Sequence, residues 1–376
     1  MRIGIDGRYI QDHFPGIGRY TYHLARNLAA VAPGDAFFLF VDPGAANSRY
    51  DLAPFVEAPN VRLIPATVGT FSFRQQMVLP ALARQHRLDL YHNPYYLVPY
   101  AMPCPMVATV HDMIPMLYPE SVPGSALPTV FLLMVRLTVF RARRVIVGSQ
   151  STRRDLLRVI PSADRKVSVV YYAVDESFSP QPEGRIAEMR RRYGLDARYL
   201  YYLGANKPHK NLVRLVEAWA SLPDEVRAGA ELVLAGHEDE RYPQVYEAVT
   251  RLGLHDVRLL GAVPDDDLAP LYSEATGFIF PSLYEGFGLP VIEAMACGTA
   301  VACSNTSSLP EIVGQAAITF DPHNETDIAL AMRRLLQDDG LRRYLAEEGQ
   351  RRAGQFTWKR AAEETLKAYR SALAAG

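Results

Sequence analysis

The sequence predicts an α/β protein made of two Rossmann-like, doubly wound parallel-sheet domains. Three observations favour this fold class. Short apolar runs alternate with longer amphipathic ones along the chain, which is the pattern of βαβ units. The chain has 376 residues, whereas a single hydrophobic core stops growing at about 250–300 residues. A segment rich in proline, serine and acidic residues, 175–184, separates two sets of apolar runs.

Each half of the chain supplies enough strand-like runs for a sheet of its own. In the first half the runs are RIGIDG, FFLFV, VRLIPA, LDLYH, MVATVH, RVIVGS and KVSVVY. In the second half they are YLYYLG, AELVLAG, VRLLG, GFIFPS, AVACS and AAITF. The longer stretches between them have helical patterns, as crossover helices require.

The domain boundary is predicted within DESFSPQPEG, whose composition is typical of a linker. We therefore predict a first domain over residues 1–178 and a second over 179–357. The last segment, TWKRAAEETLKAYRSAL, has a strong helical pattern that Thr357 can cap. We expect this helix, about residues 358–376, to pack back on the first domain.

Composition and charge exclude several classes of protein. Residues 1–180 hold 18 Lys and Arg against 13 Asp and Glu, and the rest holds 22 against 28. This asymmetry favours an anionic substrate or surface for the first half but is too small to predict a nucleic-acid partner. The three scattered cysteines form neither a disulfide framework nor a metal cluster, which favours the cytoplasm. No signal core or membrane-spanning run is recognisable.

Polar residues follow many of the predicted strands. In parallel open sheets, ligands bind beyond the carboxyl ends of the strands, so these positions are the first candidates for a site. They are Gly7 and Arg8, His92 and Asn93, His111 and Asp112, Ser149, residues 206–210, and residues 282–285.

The stretch YEGFGLPVIE, residues 284–293, connects a strand to a helix. Pro290 suits the first turn of that helix, and Gly286 and Gly288 allow a sharp turn that exposes backbone amides. A helix start favours anionic oxygens, and Glu285 and Glu293 add two carboxylates. This combination suits a polyol that carries phosphates, such as a nucleotide sugar. The alternative is that the glutamates are a solvated loop acid and a helix surface charge.

The longer segment PSLYEGFGLPVIEAMACGTAVACS resembles the donor-binding segment of retaining glycosyltransferases of the GT4 family, with its Glu-x7-Glu motif. The resemblance implies the GT-B fold, in which an acceptor-side domain and a nucleotide-sugar-binding domain face a central cleft. It implies that Glu285 contacts sugar hydroxyls near the reacting carbon and that Glu293 contacts the ribose. Donor contacts are also expected from Ser282, Gly286, Phe287, Gly288 and Leu289.

The segment GANKPHKN is predicted to bind the donor diphosphate. Asn211 can cap the following helix, which places Lys210 beside a helix N-terminus, with Asn206 nearby. In the family a matching lysine neutralises the leaving diphosphate. Many members also have an arginine just before it, and here either Lys207 or His209 would supply that second positive charge.

The first domain offers further candidates. In the family a glycine-rich loop, here Gly16 and Gly18, approaches the donor phosphate and the acceptor. His111 resembles the family's active-site histidine, which faces the donor sugar, and completes a catalytic set with Lys210 and Glu285. Arg19, His92 and Asp112 are predicted near the acceptor. The alternative for His111 is a structural role.

A metal site is not predicted. Asp265-x-Asp267 invites comparison with metal-binding glycosyltransferases of another fold, but three acidic residues after Pro264 favour a helix start. The resemblance implies a metal-independent, retaining transfer that needs no cofactor, the co-substrate being a GDP- or UDP-linked sugar. A hexose, mannose in our interpretation, would move to a glycan or lipid-linked glycan in surface polysaccharide assembly.

Alternatives and a membrane partner stay open at this point. Gly16, Gly18 and Asp42 mimic a dinucleotide fingerprint, which would make the protein an NAD-dependent oxidoreductase, but Thr21 occupies the third glycine position. A non-catalytic nucleotide-sugar-binding protein is the other alternative. Aromatic and aliphatic residues mixed with arginines in FSFRQQMVLPALARQHR and LLMVRLTVFRARR suggest peripheral contact with the inner face of a membrane, against ordinary buried helices.

Overall fold

The computed structural model describes residues 1–374, which divide into two compact units. The first unit comprises Met1–Leu117, Gly124–Tyr172 and the chain from Thr357 to the last described residue. The second comprises Tyr118–Pro123 and Ala173–Phe356. Phe178 packs against Tyr272, at 6.0 Å between ring centres, so the proline-rich segment is attached to the core of the second unit.

The first unit is built on a parallel sheet in the order β3-β2-β1-β4-β5-β6-β7. Ile3 pairs with Phe37 in β2 and with Leu90 in β4, which fixes β1 at the centre. The strands are β1 Arg2–Asp6, β2 Ala36–Val41, β3 Val61–Pro65, β4 Leu90–Asn93, β5 Met106–Val110, β6 Arg144–Val147 and β7 Val167–Val169. The helices are α1 Pro15–Val31, α2 Ala53–Glu57, α3 Gln75–Gln85, α4 Ile114–Leu117, α5 Leu127–Arg141 and α6 Gln150–Val159.

The second unit has a parallel sheet in the order β10-β9-β8-β11-β12-β13. Its strands are β8 Arg198–Leu203, β9 Ala230–Ala235, β10 Val257–Gly261, β11 Gly277–Phe280, β12 Val301–Ser304 and β13 Ile318–Phe320. Its helices are α7 Glu183–Tyr193, α8 Leu212–Ala220, α9 Asp224–Arg227, α10 Gln244–Arg251, α11 Asp265–Glu274, α12 Leu289–Ala296, α13 Leu309–Val313, α14 Glu325–Gln337 and α15 Asp339–Ala353. Short 3-10 helices span Gly7–Tyr9, Pro119–Ser121, Pro161–Lys166 and Pro208–Lys210.

All the strand-like runs of the sequence form strands, and both sheets are parallel, so the predicted fold class is confirmed. None of the helices within residues 1–374 combines the length and the apolarity needed to cross a bilayer.

The C-terminal helix α16, Trp358–Ala374, packs in the first unit against α1, β5 and β6. Thr357 Oγ1 accepts a hydrogen bond from the backbone N–H of Arg360 at 3.2 Å, which confirms the predicted cap. Trp358 lies beside Tyr20 and stacks on His23, with ring centres 6.2 and 5.3 Å away. The last two positions of the predicted helix range, 375–376, lie outside the described residues.

Two local predictions are wrong. Gly16 and Gly18 do not form a loop, because α1 already begins at Pro15, whose fixed φ suits a helix start. Gly18 is needed for close packing, since a Cβ there would lie 2.8 Å from the carbonyl oxygen of Tyr9. Asn211 does not cap α8 through its side chain, and its φ of 61° lies in the left-handed region. Its amide donates instead to the carbonyl oxygens of Pro281 and Pro322, at 3.1 and 2.8 Å.

Candidate active site

The predicted donor-binding segments follow two adjacent strands of the second unit. β8 leads into residues 204–210 and β11 into residues 281–288. The two strands pair in parallel, so these segments lie at the same edge of the sheet. The strand order also reverses direction between β8 and β11. Such a switch point is where open α/β sheets bind their ligands.

Lys210 and Glu285 form an ion pair at this edge, with 2.6 Å between Nζ and Oε1. Their side chains are only 16 % and 10 % exposed, and the Lys210 ammonium lies 5.3 Å from the ring centre of Phe280. Two residues predicted as catalytic from separate motifs therefore share one site. The alternative of a solvated loop acid is wrong for Glu285, because its charge is largely removed from water and compensated by the lysine.

The loop that carries Glu285 is anchored by residues that sequence reasoning missed. Ser307 Oγ accepts a hydrogen bond from the backbone N–H of Glu285 at 3.0 Å. Ser308 Oγ donates toward the carbonyl oxygens of Glu285 and Phe287, at 3.0 and 2.8 Å, and Thr306 Oγ1 donates to that of Leu283 at 3.1 Å. These hydroxyl residues follow the carboxyl end of β12, so the strand-end rule that located the other candidates would also have found them.

Gly288 makes the turn into α12. Its φ of 105° belongs to the left-handed region, and a Cβ at this position would lie 2.7 Å from Leu309 Cδ2. A glycine is therefore required both by the backbone conformation and by the close approach of α13. The following residues, Leu289 and Pro290, begin α12, whose amino end carries the positive end of the helix dipole.

Glu293 lies in α12 with 2 % of its surface exposed. Tyr272 donates a hydrogen bond from its hydroxyl to Glu293 Oε2, at 3.1 Å. Burial, and then the neighbouring carboxylate, raise the pKa of the Tyr272 hydroxyl well above its ordinary value, so the phenol stays a donor. The alternative of a helix surface charge for Glu293 is therefore wrong.

Asn206 and Ser282 differ in how their polar atoms are used. Asn206 donates to the carbonyl oxygens of Asp239 and Tyr242, at 3.0 and 2.7 Å, and accepts from the N–H of Asp239 at 2.7 Å. Its side chain therefore holds the loop after β9 in place. The hydroxyl of Ser282 is buried and finds no hydrogen-bond partner within residues 1–374.

His209 is not the second positive group beside Lys210. It is 3 % exposed, and its Nδ1 lies 2.9 Å from Ser121 Oγ. Burial, followed by the charges of Lys210 and Lys207, lowers the pKa of His209 to about 2, so its ring is neutral at physiological pH. Of the two predicted candidates, Lys207 alone carries a charge.

In the first unit, His111 follows β5 and both of its ring nitrogens are engaged. Nδ1 lies 2.7 Å from the Tyr172 hydroxyl, and Nε2 donates to the carbonyl oxygen of Pro94 at 2.8 Å. Burial lowers the pKa of His111 to about 4, so the imidazole is neutral and held in one tautomer. Arg19 lies in the first turns of α1, and Asp112 Oδ1 accepts from the N–H of Ile114, at 2.9 Å.

The prediction that His92 contacts the acceptor is wrong, because no part of its side chain is exposed. Its Nδ1 lies 2.7 Å from the hydroxyl of Tyr369 in α16, and its Nε2 lies 2.9 Å from Thr109 Oγ1. Thr109 is bonded in turn to the Tyr20 hydroxyl at 3.1 Å. His92 is therefore part of the network that fixes α16 on the sheet.

Comparisons with known proteins agree with this geometry. A family model described as "Glycosyl transferases group 1" matches residues 186–352, and one described as "Glycosyltransferase Family 4" matches residues 15–178. The O-antigen chain mannosyltransferase B of Escherichia coli is 31 % identical to this chain, over 98 % of it and 100 % of that protein. The chain belongs to the glycosyltransferase family that these two models and this relative define.

Two further proteins are similar to this chain over nearly its whole length. The MMP alpha-(1->4)-mannosyltransferase of Mycolicibacterium hassiacum is 28 % identical, over 100 % of this chain and 99 % of that one. The crystal structure of Anabaena Alr3699/HepE in complex with UDP and glucose superposes with a TM-score of 0.77 at 20 % identity, over 99 % of this chain and 100 % of that one. The fold is therefore GT-B, and the oxidoreductase alternative is not favoured.

The acidic triplet of the glycosyltransferase is structural, as predicted. Asp265, Asp266 and Asp267 form the first turn of α11, where they complement the helix dipole. Asp267 accepts hydrogen bonds from Arg192 and from the Tyr193 hydroxyl, both at 2.7 Å. No group of three His, Cys, Asp or Glu side chains within the described chain is placed to hold a metal ion.

We expect the first unit of the glycosyltransferase to lose stability in mild acid because of His92. Burial lowers the pKa of His92 from 6.5 to about 3. Below pH 6.5, His92 is therefore protonated in the unfolded chain but stays neutral in the folded chain. The free energy of unfolding should fall by about 1.4 kcal/mol per pH unit for this residue, from pH 6.5 downward. Urea unfolding between pH 7.5 and 4.5 measures the slope.

The matched variants are His92→Gln and, as a control, the exposed His323→Gln. The first should reduce the slope of unfolding free energy against pH by the contribution of His92 and leave that of His111, whereas the second should leave the slope unchanged. Equal slopes in all three proteins would contradict this role of His92.

Proposed function

We propose that this glycosyltransferase moves a hexose, mannose, from a GDP- or UDP-linked donor to a glycan or lipid-linked glycan acceptor in the assembly of a surface polysaccharide. The transfer retains the anomeric configuration and requires neither metal nor other cofactor. Mannose is supported by the two mannosyltransferases that match the whole chain, one of them named for the O-antigen chain. Both guanine and uracil are kept as the nucleotide base of the donor, because the similar Anabaena structure contains UDP.

The observation that carries the proposal is the ion pair between Lys210 and Glu285 at the switch point of the second sheet. Departure of a nucleoside diphosphate places negative charge on an oxygen, and a largely buried ammonium stabilises that charge more strongly than one in water. Glu285, held by the same lysine, can accept hydrogen bonds from sugar hydroxyls. Lys207 supplies the second positive charge near the diphosphate.

The rest of the donor is bound by the segment from 282 to 293. The amino end of α12 faces the anionic part of the donor, for which its dipole is suited. Glu293, kept in place by Tyr272, accepts from the ribose hydroxyls. The unpartnered hydroxyl of Ser282 supplies a further donor or acceptor.

Retention without a nucleophilic residue follows from the chemistry of the leaving group. The bond from the anomeric carbon to the phosphate oxygen breaks as the bond to the acceptor oxygen forms on the same face. The proton of the acceptor hydroxyl passes to the departing phosphate. His111, neutral and fixed by Tyr172 and Pro94, is proposed as a further catalytic residue that orients the sugar.

The test is a transfer assay with GDP-mannose, UDP-glucose and UDP-galactose on mannose-terminated glycan and lipid-linked acceptors, with and without EDTA. We expect transfer from GDP-mannose, undiminished by EDTA, and a product whose anomeric carbon has the donor's configuration by NMR. Transfer from UDP-glucose or UDP-galactose alone would contradict mannose as the transferred sugar. An inverted product or activity that EDTA abolishes would overturn the mechanism. Absence of transfer from every donor would overturn the proposed function.

We also propose peripheral contact with the inner face of a membrane through α5. This helix has apolar residues on its buried and on its exposed side: Phe131 and Val135 face the core, whereas Leu133, Leu137 and Phe140 are exposed, Phe140 by 82 %. A group of exposed large apolar side chains beside arginines suits a helix that lies in a membrane interface. Residues 127–144 contain four arginines and no acidic residue, which favours anionic lipid over a second, equally basic copy of the chain.

Vesicle sedimentation should reveal this contact. We expect binding to phosphatidylglycerol vesicles at low salt, weaker binding at high salt, and little binding to phosphatidylcholine. Leu133→Asp should reduce binding about tenfold or more, since it places a charge among the inserted side chains. Leu330→Asp, at a similarly exposed leucine of the second unit, is the control. Equal binding of both variants would contradict the assignment to α5.

A further inference from the structure

The segment Tyr118–Pro123 lies between two stretches of the first unit in sequence but belongs to the second unit. It contains the 3-10 helix Pro119–Ser121, and its backbone is held at the carbonyl oxygen of Glu120, which accepts from the Tyr242 hydroxyl at 2.9 Å. The ring of Tyr118 lies between those of His209 and Tyr284, at 6.2 and 5.9 Å. The segment therefore borders both loops that carry the Lys210–Glu285 pair.

Ser121 makes two hydrogen bonds to one residue of that site. Its Oγ lies 3.3 Å from the backbone nitrogen of His209 and 2.9 Å from Nδ1 of the same residue. The backbone N–H donates, so the serine hydroxyl can donate in turn to Nδ1, which places the proton of the neutral imidazole on Nε2. Ser121 has no exposed surface and His209 has 3 %, so water does not compete for these bonds.

His209 in turn connects the two loops. Its carbonyl oxygen accepts from the backbone N–H of Leu283 at 2.8 Å, two residues before Glu285. The next residue in the chain is Lys210. A shift of the His209 backbone would therefore be transmitted to both partners of the ion pair, to the lysine along the chain and to the glutamate through the 283–285 loop.

We propose that Ser121 is a positioning residue for the Lys210–Glu285 pair and acts through His209. The proposal rests on the proposed function, which places this pair at the reacting centre. Ser121 has no exposed surface and is assigned no contact with the donor or the transferred sugar. It fixes His209, whose backbone carbonyl connects the diphosphate-binding segment to the glutamate loop.

The test is Ser121→Ala in the full chain, with the exposed Ser125→Ala as the matched control. We expect kcat for sugar transfer to fall about ten- to a hundredfold with KM for the donor changed less than about threefold, because small misplacements act mainly on the transition state. The control should keep the wild-type kcat. Ser121→Cys fills the same space with a weaker donor and should give an intermediate kcat.

A double-mutant cycle separates positioning from general stability. If Ser121 acts through His209, Ser121→Ala should lower kcat much less in a His209→Gln background than in the wild type. Additive losses would overturn the proposal, as would a wild-type kcat in Ser121→Ala. Should the alanine variant fail to fold, a wild-type kcat in Ser121→Cys would overturn it, as would a loss in Ser121→Cys that stays the same in the His209→Gln background. Failure of the proposed function is distinguishable, since the wild type would then transfer no sugar.

Discussion

Lys210→Ala is expected to lower kcat/KM for sugar transfer about a thousandfold. Removing one preorganised group that stabilises developing negative charge costs roughly 10²–10³ in rate. The variant also leaves the carboxylate of Glu285, whose side chain is only 10 % exposed, without its partner at 2.6 Å. An unpaired buried charge should shift position or take up a proton, which adds to the loss. Steady-state kinetics at saturating acceptor measure the effect.

Lys367→Ala is the control, because the Lys367 side chain is 68 % exposed and its ion pair with Glu364 lies on the surface of α16. Its kcat/KM should match the wild type. Glu285→Gln should also be strongly impaired, and the double variant should lose much less than the product of the two single losses, since the two residues act as a unit. A Lys210→Ala variant within about threefold of the wild type would contradict the placement of this pair at the reacting centre.

The fold was predictable because its strands are recognisable locally. Each strand of a parallel sheet covered on both faces is a short, nearly continuous apolar run, and GFIF and MVATV are examples that are buried at every position. Ligands of parallel sheets bind beyond the carboxyl ends of the strands, which made the residues after β8 and β11 candidates. Because β8 and β11 are neighbours, Lys210 and Glu285 lie at the same edge of the second sheet. The placement of both residues at this edge was predictable, whereas the ion pair between them was not.

Other features of the site depend on partners far away in the sequence. Ser121 and His209 are 88 residues apart, and His92 and Tyr369 are 277 apart. Local sequence patterns do not predict such pairs. A histidine at a strand end therefore gives the same sequence pattern whether it binds a substrate or fixes a helix. Asn211 shows the same limit, because its side-chain amide bonds to Pro281 and Pro322, which lie 70 and 111 residues away in the sequence.

Removing α16 by ending the chain at Phe356 is expected to unfold the first unit and leave the second folded. The helix buries Trp358, Leu366 and Tyr369 against the first unit. Burial of each large apolar side chain stabilises by about 1.5–3 kcal/mol, and the total stability of a domain is about 5–15 kcal/mol. Truncation would also expose Tyr20 and leave His92 Nδ1 without the Tyr369 hydroxyl.

The tryptophans allow the two units to be followed separately. The chain has only two, Trp358 in α16 and Trp219 in the core of the second unit, so fluorescence of the truncated chain reports on the second unit alone. We expect a cooperative unfolding transition of Trp219 in the truncated chain, together with fast hydrogen exchange in β1, β4 and β5. Tyr369→Phe, which removes only the hydroxyl bonded to His92, should cost about 1–3 kcal/mol. The exposed Arg370→Ala should cost nothing measurable. Protected amides in β5 and β6 of the truncated chain would show that the first unit folds without α16, because the helix packs against these two strands.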